Sequence, residues 1–522
     1  MNADRKVWPL RWGMQAGHLH TVPWGEEILK RFGVDRWVVF PHPASQSTFS
    51  IARNMDIIRT VDAWCEQQGV TWIANLEAAN YWAGFVDETG RDWFNRPDGR
   101  HFFLTPDEFL PVWGSCRRFD GLLYDEAELM QTWRNQTVKG MNKPWIYDPP
   151  AGGRLEDAAE EFTAAVAEHA RRHAQHGIRL YTEHVLPIAF HSFARAGWTS
   201  ATKILKETWA APYMACAMGA ALQYGTELWV CPDLWDCARP YPGHSPKEYG
   251  SALLLAYHLG ADCIYTENLD AVFGENGIGS LVLPKAGGYS VTPYGEEALR
   301  FRHEYLPAHP RDYNFRDLRP RVAIIRQEDT CWGQADSWVP DALYGSAQWR
   351  STSVTEAWLR IWHLLSCGTI PADSLSWHGG SLWREWHGRP HQTFCPLDGV
   401  VVYDHTVRGE LLAGVEVFFL TGLGVSTKTQ AAVEQRVAEG ATCVALPHLL
   451  PERIARDTGR SGTLKDGSGL WISTDDFLAP HVRQQVRHVL PDYHTLRYRF
   501  GERTVVIRPV DGDPDRLAVE VS

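Results

Sequence analysis

One alternation dominates roughly the first 300 residues of this chain: a short apolar segment ends in polar residues, and a helical segment follows it. The apolar segments lie at residues 11–17, 36–42, 70–77, 121–126, 178–183, 201–207, 227–233 and 261–267. Strands that alternate with helices pair in parallel, because each helix returns the chain to the edge at which the next strand begins. Eight such units predict an α/β fold, the (β/α)8 or TIM barrel.

The helical segments carry start and stop signals of their own. Thr105 is a typical N-cap, Pro106 stands at the first helical position, and acids follow in the first turn. Segment 155–177 is acidic at its start and basic at its end, as the helix dipole favours. Segments 211–225 and 245–260 each end at a glycine. These signals support the alternation of strands and helices.

Acids stand at the carboxyl ends of six of the eight predicted strands. They are Glu77, Asp125 with Glu126, Glu183, Glu207, Asp233 and Glu267. The carboxyl ends of barrel strands surround one mouth, which is where TIM-barrel enzymes have their active sites. We therefore expect these acids to line a single pocket, although they are far apart in the sequence. The alternative is that several of them form ion pairs with Arg or Lys across the rim.

Tryptophan is unusually frequent, with 24 residues in the chain, and many tryptophans follow the predicted strands directly. A flat apolar ring with a polar edge suits a sugar ring, whereas a packed loop core is the alternative for any single one. Two long aromatic loops, 80–103 and 131–153, are expected to form the pocket walls. The residues predicted to bind substrate are Glu77, Asn80, Trp82, Glu183, Trp209, Trp235, Glu267, His18 and His20.

Composition excludes several classes of function. The chain has 51 Lys and Arg residues against 63 Asp and Glu residues, and its net charge of -12 argues against nucleic-acid and anionic-membrane partners. No stretch reaches the roughly 18 apolar residues of a membrane span, and the first residues lack a signal-peptide core, so we expect a cytoplasmic protein. Ten scattered cysteines without a CxxC pair predict buried free thiols, as at Cys216, Cys231 and Cys263.

The character of the chain changes after about residue 310. A polar connector leads to a predicted strand at 321–326, and a helix at 426–440 precedes another apolar strand at 441–447. We expect a catalytic barrel over 1–310, a smaller α/β domain over 320–465, and a small C-terminal β domain over 466–522.

The acids at the mouth point to a particular chemistry. Hydrolysis of a glycoside needs two carboxyl groups beside the bond, one protonated and one ionised. Crowded carboxyl groups raise one another's pKa, so that one keeps its proton near neutral pH. The sequence therefore predicts a glycoside hydrolase that acts on a small oligosaccharide or glycoside.

Three stretches carry a resemblance to a known family. They are Tyr-Asp-Glu at 124–126, SALLLAYHLGADCIYTEN at 251–268, and STKTQAAVEQRVAEGATCVALP at 426–447. With them the chain resembles the clan A glycoside hydrolases, and in layout most closely the family 42 β-galactosidases. The resemblance implies that Asp125 takes the position of the clan's Asn and that Glu126 is the acid/base. It also implies that the second domain is a glutamine-amidotransferase-like trimerisation domain, so that the protein is a homo-oligomer, with a trimer favoured.

The sequence departs from this family at two places. The family's nucleophile is a Glu that ends the seventh strand, where this chain has Cys-Pro-Asp at 231–233. Either Asp233 takes that role or another acid does, with Glu207 after the sixth strand as the first choice. The family's four-cysteine zinc site is absent, and we expect no metal and no cofactor.

Two other functions stay open at this point. His18 and His20 follow the first strand as a His-x-His pair, which is typical of metal-dependent barrel hydrolases, although the fifth and sixth strands end in Glu183 and Glu207 rather than in His. A non-catalytic carbohydrate-binding protein is the other alternative, because the seventh-strand Glu is missing. Mutual repulsion among so many acids argues against a pocket without chemistry.

Overall fold

The computed structural model describes residues 7–40, 49–76, 87–90, 107–132, 137–138, 141–142, 145–205, 209–234, 244–270, 280–333, 342–373 and 393–522. Eight parallel strands form a closed barrel, as the sequence predicted. The strands are β1 Arg11–Ala16, β2 Arg36–Val39, β3 Thr71–Asn75, β4 Phe119–Tyr124, β5 Leu180–His184, β6 Thr199–Ile204, β7 Trp229–Pro232 and β8 Cys263–Thr266. Each strand pairs with its sequence neighbours, and β8 closes the barrel against β1. The predicted TIM barrel is therefore confirmed.

Helices connect these strands on the outside of the barrel. They are α1 Gly25–Phe32, α2 Ile51–Gln68, α3 Leu110–Ser115, α4 Ala127–Thr132, α5 Leu155–Ala174, α6 Phe190–Arg195, α7 Ala210–Tyr224, α8 Pro246–His258 and α9 Pro293–Arg300. Ser50, Ser245 and Thr292 cap α2, α8 and α9 with side-chain oxygens that accept backbone N–H groups of the first turn. The helix start predicted at Thr105 lies outside the described residues.

Side chains that face into the barrel form a small core of their own. This core consists of Val38, Ile73, Leu123, Tyr181, Ala201, Trp229, Cys231, Cys263 and Tyr265. Successive strand residues point to opposite faces, so the residue two positions further along each strand faces inwards as well, one layer nearer the mouth. This periodicity decides which polar side chains the mouth receives.

The opposite end of the barrel is closed by a buried arginine. Arg36 forms an ion pair with Asp120, and its guanidinium carbon lies 4.7 Å from the centre of the Trp229 ring. Such a buried pair stacked on an aromatic face belongs to the stability of the barrel rather than to its chemistry.

A second sheet follows the barrel in sequence. Five of its strands run parallel, at Val322–Arg326, Val400–Asp404, Val417–Thr421, Thr442–Ala445 and Gly469–Ser473, and the antiparallel strand Gly462–Asp466 forms one edge. Helices Ala357–Leu365, Thr427–Ala438 and Glu452–Thr458 belong to this unit. In chain order the parallel strands lie 2-1-3-4-5, the order of flavodoxin-like sheets. Since Gly469–Ser473 pairs within this sheet, the unit extends past residue 465, the end that the sequence suggested.

Helix α7 joins this second sheet to the barrel. A Cβ added at Gly219 would lie 1.7 Å from the carbonyl oxygen of Val402, so the helix and the strand are in direct backbone contact. Gln223 donates to the Asp404 carboxylate at 2.6 Å and accepts the Asp404 backbone N–H at 3.1 Å. Because one face packs on the barrel and the other on the sheet, nearly every residue of α7 is buried.

A third sheet packs on the next two helices. Its strands are Leu397–Asp398, Leu496–Phe500, Arg503–Val510 and Asp513–Val521, and helix Pro480–Val486 precedes the last three of them. Arg516 pairs with Glu297 of α9 at 2.6 Å, and the backbone N–H of Leu517 donates to Ser251 of α8 at 3.0 Å. Among the described helices, none is both long enough and apolar enough to cross a membrane.

Candidate active site

The acids at the mouth occupy the inward positions of their strands. Asp125, Glu183, Asp233 and Glu267 each stand two residues after a member of the inner core, namely Leu123, Tyr181, Cys231 and Tyr265. The two-residue period of a strand therefore aims all four carboxyl groups into the barrel. By the same count Lys203, two residues after Ala201, faces inwards from β6.

Lys203 lies at the centre of these acids. Its Nζ is 3.1 Å from Asp125 Oδ1, 3.2 Å from Glu126 Oε1, 3.0 Å from Glu183 Oε2, 3.6 Å from Asp233 Oδ2 and 3.2 Å from Glu267 Oε2. The strand order explains this, because β6 stands in the middle of the arc from β4 to β8. Four strands thus bring five carboxyl groups to one ammonium.

The whole cluster is buried, and its charges are unequal. The Lys203 side chain is 1% exposed, and the Glu126 side chain, the most exposed of the five acids, is 7% exposed. Within the described part of the chain, Lys203 is the one cation within 4 Å of these carboxyl groups. Carboxyl groups that are buried this close together raise one another's pKa, so some of the acids keep their protons.

Asp125 and Glu183 share such a proton. Burial and the neighbouring Glu183 raise the pKa of Asp125 well above its ordinary value, and Asp125 hydrogen-bonds Glu183. Burial raises the pKa of Glu183 as well, although Lys203 and the hydrogen bonds from Asp125 and Tyr265 oppose that effect. Protonated Asp125 therefore donates to Glu183, and the Tyr265 hydroxyl donates to Glu183 Oε1.

Lys203 itself stays charged. Burial alone would lower the pKa of Lys203, but Asp125, Glu183 and the other carboxylates raise it well above its ordinary value. The side chain is therefore an ammonium at neutral pH and is unsuited to act as an amine nucleophile.

The backbone at the mouth is strained beside these residues. Glu126, Leu205 and Asn268 follow β4, β6 and β8, and their φ angles are 51°, 69° and 66°. Non-glycine residues adopt this left-handed conformation at a cost of order 1–3 kcal/mol, and such residues are concentrated at functional sites.

Glu128 links helix α4 to the chain that follows β5. Its Oε1 accepts the backbone N–H groups of Val185 at 2.6 Å and Leu186 at 3.0 Å. Burial raises the pKa of Glu128 to about 8. This buried acid fixes the first turn after Glu126 against the end of a neighbouring strand.

Neutral amides face the barrel from the other arc of strands. Gln15 of β1 and Asn75 of β3 are buried, and the Asn75 amide donates to Gln15 Oε1 at 3.0 Å. Their inward positions follow from the same alternation, since Trp12, Met14 and Ala16 belong to the outer core. The mouth therefore has charged side chains on the side of β4 to β8 and amide side chains on the side of β1 and β3.

Two further predicted site residues, His18 and His20, follow the carboxyl end of β1. His18 and His20 have ring centres 5.6 Å apart, and the His20 ring lies 6.0 Å from that of Trp37, whose side chain belongs to the outer core. Burial and His18 lower the pKa of His20 to about 4. Trp209 precedes α7 and is buried among apolar side chains. Five predicted residues lie outside the described part of the chain: Glu77, Asn80, Trp82, Glu207 and Trp235.

Neither His18 nor His20 belongs to a group of three possible metal ligands in the described part of the chain. Among the described residues, Glu183, Cys231 and Glu267 are the one group of three with ligand atoms close enough to share an ion, within 4.8 Å of one another. Lys203 Nζ contacts two of them, at 3.0 and 3.2 Å. The ammonium therefore occupies the place that a cation would take.

Three residues of the mouth were not predicted from the sequence: Lys203, Gln15 and Asn75. Lys203 stands in the predicted strand 201–207, two residues after an inward alanine and one strand away from Glu183. Its register in the strand could have identified it. A lysine on the inward face of a barrel strand is buried, and a buried lysine needs acidic partners.

Comparisons with known proteins bear on the fold. No protein-family model matches the sequence, and no curated protein matches it. The exo-β-1,4-mannosidase Op5Man5 from Opitutaceae bacterium strain TAV5 superposes with a TM-score of 0.53 at 11% identity, covering 92% of this chain and 94% of its own. This chain shares the fold of that mannosidase. Since the barrel alone spans much less than 92% of the chain, the match includes the appended sheets.

Further solved structures match less closely. A GH5_18 protein from Streptomyces cattleya, in complex with GlcNAc, has a TM-score of 0.40 at 14% identity and covers 76% of this chain and 99% of its own. A GH5_18 protein from Bifidobacterium longum subsp. infantis has a TM-score of 0.39 at 12% identity and covers 79% of this chain and 96% of its own.

Proposed function

We propose that this protein is a glycoside hydrolase that cleaves a small oligosaccharide or glycoside at the barrel mouth. The observation that carries the proposal is the set of five buried carboxyl groups that meet at Lys203 Nζ, each within 3.6 Å. Because the set holds both protonated and ionised acids, it supplies the two forms that glycosidic cleavage needs. The fold shared with an exo-β-1,4-mannosidase supports the same class of reaction.

Glu126 is the proton donor in this proposal. It follows β4 directly, its backbone is held at a φ of 51°, and its side chain is the most exposed of the five acids. It protonates the glycosidic oxygen, so that the leaving group departs as a neutral alcohol.

Asp233 is the second carboxylate, either as the nucleophile or as the base that activates water. Its Oδ2 and Glu126 Oε1 lie within 3.6 Å of the same nitrogen, so the two oxygens are at most about 7 Å apart. Retaining enzymes keep their carboxyl groups about 5–5.5 Å apart and inverting enzymes about 6.5–9.5 Å apart, and this upper limit is compatible with both. NMR of the first anomer released would distinguish the two outcomes. Glu207 is the alternative second carboxylate.

The remaining polar groups would bind the sugar. Glu267 lies buried beside Lys203, and Gln15 and Asn75 add amide groups on the opposite side of the barrel. Glu183 orients Asp125 and Lys203 through direct contacts. Family 42 membership, an amidotransferase-like second domain and a trimer complete the proposal and rest on the sequence resemblance.

A panel of substrates tests the function. The panel comprises 4-nitrophenyl β-mannoside, β-galactoside and β-glucoside, together with β-1,4-mannobiose and lactose. Glu126→Gln should lower kcat by about 100-fold or more on the substrate that is cleaved, because a general acid contributes about 10²–10⁴-fold. Asp233→Asn and Glu207→Gln, made in parallel, identify the second carboxylate by which of them abolishes turnover.

A matched control uses an acid far from the mouth. Glu168 pairs with Arg171 on the exposed face of α5, and Glu168→Gln should leave kcat unchanged. Full activity in Glu126→Gln would refute the assignment of the proton donor. Binding of a sugar by isothermal titration without any turnover would favour the non-catalytic carbohydrate-binding protein, and loss of turnover in EDTA would favour the metal-dependent hydrolase.

A further inference from the structure

Lys203 contacts both carboxyl groups that the proposed reaction changes. Its Nζ lies 3.2 Å from Glu126 Oε1 and 3.6 Å from Asp233 Oδ2, and the side chain is 1% exposed. The nitrogen is also within 3.2 Å of Asp125, Glu183 and Glu267, so carboxyl groups surround it on the side of each neighbouring strand. An ammonium held in this way has little freedom to move during a reaction.

The reaction moves one negative charge across this ammonium. As the glycosidic bond breaks, Glu126 transfers its proton to the leaving oxygen and becomes a carboxylate. In the same step Asp233 loses its charge, either because its oxygen bonds the anomeric carbon or because it takes a proton from the attacking water. The total charge of the two acids is the same before and after the step, and this balance holds for retention and for inversion.

We propose that Lys203 is a positioning residue for this reaction: a fixed counter-ion that touches Glu126 and Asp233 while negative charge passes from Asp233 to Glu126. The inference rests on the glycoside hydrolysis proposed above. A cation already in place at both ends of the charge movement stabilises the transition state without reorganisation, which is the usual source of large electrostatic effects in enzymes.

The lysine also sets the pH range of the reaction. The titratable groups that face it within the described residues are Asp125, Glu126, Glu183, Cys231, Asp233, Tyr265 and Glu267. Without the ammonium, carboxyl groups hold their protons to higher pH. The acidic limb of the kcat profile needs ionised Asp233, and the alkaline limb needs protonated Glu126, so both limbs should move to higher pH.

Lys203→Met and Lys203→Arg test this role against the best substrate from the nitrophenyl panel. We expect Lys203→Met to lower kcat about 100-fold or more and to move both limbs up by about one pH unit, with a smaller change in KM. Lys203→Arg keeps a cation and should keep the wild-type position of the limbs. Lys30→Met, which removes the exposed ammonium that pairs with Glu26, is the matched control and should change neither quantity.

A second variant tests the same role in case Lys203→Met alone does not fold. Lys203→Met with Glu183→Gln removes one acid together with the cation, and its comparison with Glu183→Gln alone should show the same rise of both limbs. Unchanged kcat and limbs in folded Lys203→Met would overturn the proposal, and so would a lower kcat with unmoved limbs, which marks a structural role. Either of these two results would refute the role of Lys203 and leave the proposed function unaffected. A wild-type protein that cleaves no glycoside, or a fully active Glu126→Gln, would refute both the proposed function and the role of Lys203.

Discussion

Single residues at the mouth owe their positions to the two-residue period of the strands. Asp125, Glu183 and Glu267 each follow an inner-core residue by two positions, and Lys203 obeys the same count on β6. A shift of one residue in any of these strands would point the polar group at the surrounding helices instead. The register of the strands, more than any local motif, therefore creates the site.

Glu128 gives the fold a pH dependence of its own. Its pKa is about 8 in the folded protein, because it is buried, against about 4.5 in the unfolded chain. Between these values the folded state holds a proton that the unfolded state lacks, so stability from this group is complete below pH 4.5 and is lost as pH rises through 8.

Glu128→Gln should remove this dependence. The amide resembles the protonated acid, so the variant should gain stability over the wild type by up to about 1.4 kcal/mol for each pH unit between roughly pH 5 and 8. Urea unfolding at several pH values measures the difference, and Glu168→Gln on the exposed face of α5 serves as control. A constant difference between Glu128→Gln and wild type across this range would contradict the assignment.

Sequence patterns predicted some of these residues and not others. The acids were visible because each ends an apolar run, and the structure places the described ones together. Lys203 was not, since a lysine near a strand end is ordinarily solvated and only its exact register shows that it is buried. Trp209 shows the opposite limit, because an aromatic residue after a strand packs into the core or faces the pocket with the same local sequence.

Helix α7 is the element that joins the barrel to the second sheet. Two of its residues are involved: Gly219 lies against the Val402 carbonyl, and Gln223 exchanges hydrogen bonds with Asp404. The preceding helix, α6, makes a similar contact with the second sheet. Glu328 accepts the backbone N–H groups of His191 at 3.2 Å and Ser192 at 3.0 Å. Burial raises the pKa of Glu328, but hydrogen bonds from the His191 and Ser192 side chains and from the His191 backbone, together with the charge of His191, hold it below its ordinary value.

Gly219→Ala should weaken this junction. The added methyl group would meet the Val402 carbonyl at 1.7 Å, and overpacking of this kind costs about 1–3 kcal/mol. Thermal unfolding followed by calorimetry should show a lower Tm. Gly288→Ala is the matched control, because a Cβ there meets nothing within 4 Å. An unchanged Tm in Gly219→Ala would show that the helix and the strand are not in contact as described.

At the level of elements, the strand–helix alternation predicted the barrel well, whereas the second sheet was predicted only in outline. The strand Gly469–Ser473 was assigned to the C-terminal unit, but it pairs with Thr442–Ala445. The order of strands in this sheet depends on contacts between residues far apart in sequence, and local periodicity does not report them.

In the described part of the chain, the two larger sheets beside the barrel lie on its consecutive helices, one on α7 and the other on α8 and α9. The second sheet turns the carboxyl ends of two strands towards the barrel, with Glu328 and Asp404 buried against α6 and α7. In flavodoxin-like sheets this edge is where ligands bind. Here the described part of this edge is an internal contact with α6 and α7.

A trimer is the expected assembly, from the sequence resemblance. Sedimentation velocity at several concentrations should give a mass near three times 59.1 kDa. A single species of 59.1 kDa at every concentration would contradict the prediction.

The central claim is that acids from four strands, gathered at Lys203, cleave a glycosidic bond with Glu126 as the proton donor. The most direct measurement compares wild type and Glu126→Gln on aryl glycosides of the preferred sugar whose leaving groups differ in acidity. We expect kcat/KM of the variant to match that of wild type nearly on the 2,4-dinitrophenyl glycoside, whose leaving group departs without protonation, and to be lower by about 100-fold or more on the phenyl glycoside. An equal loss on both substrates, or no loss on either, would contradict it.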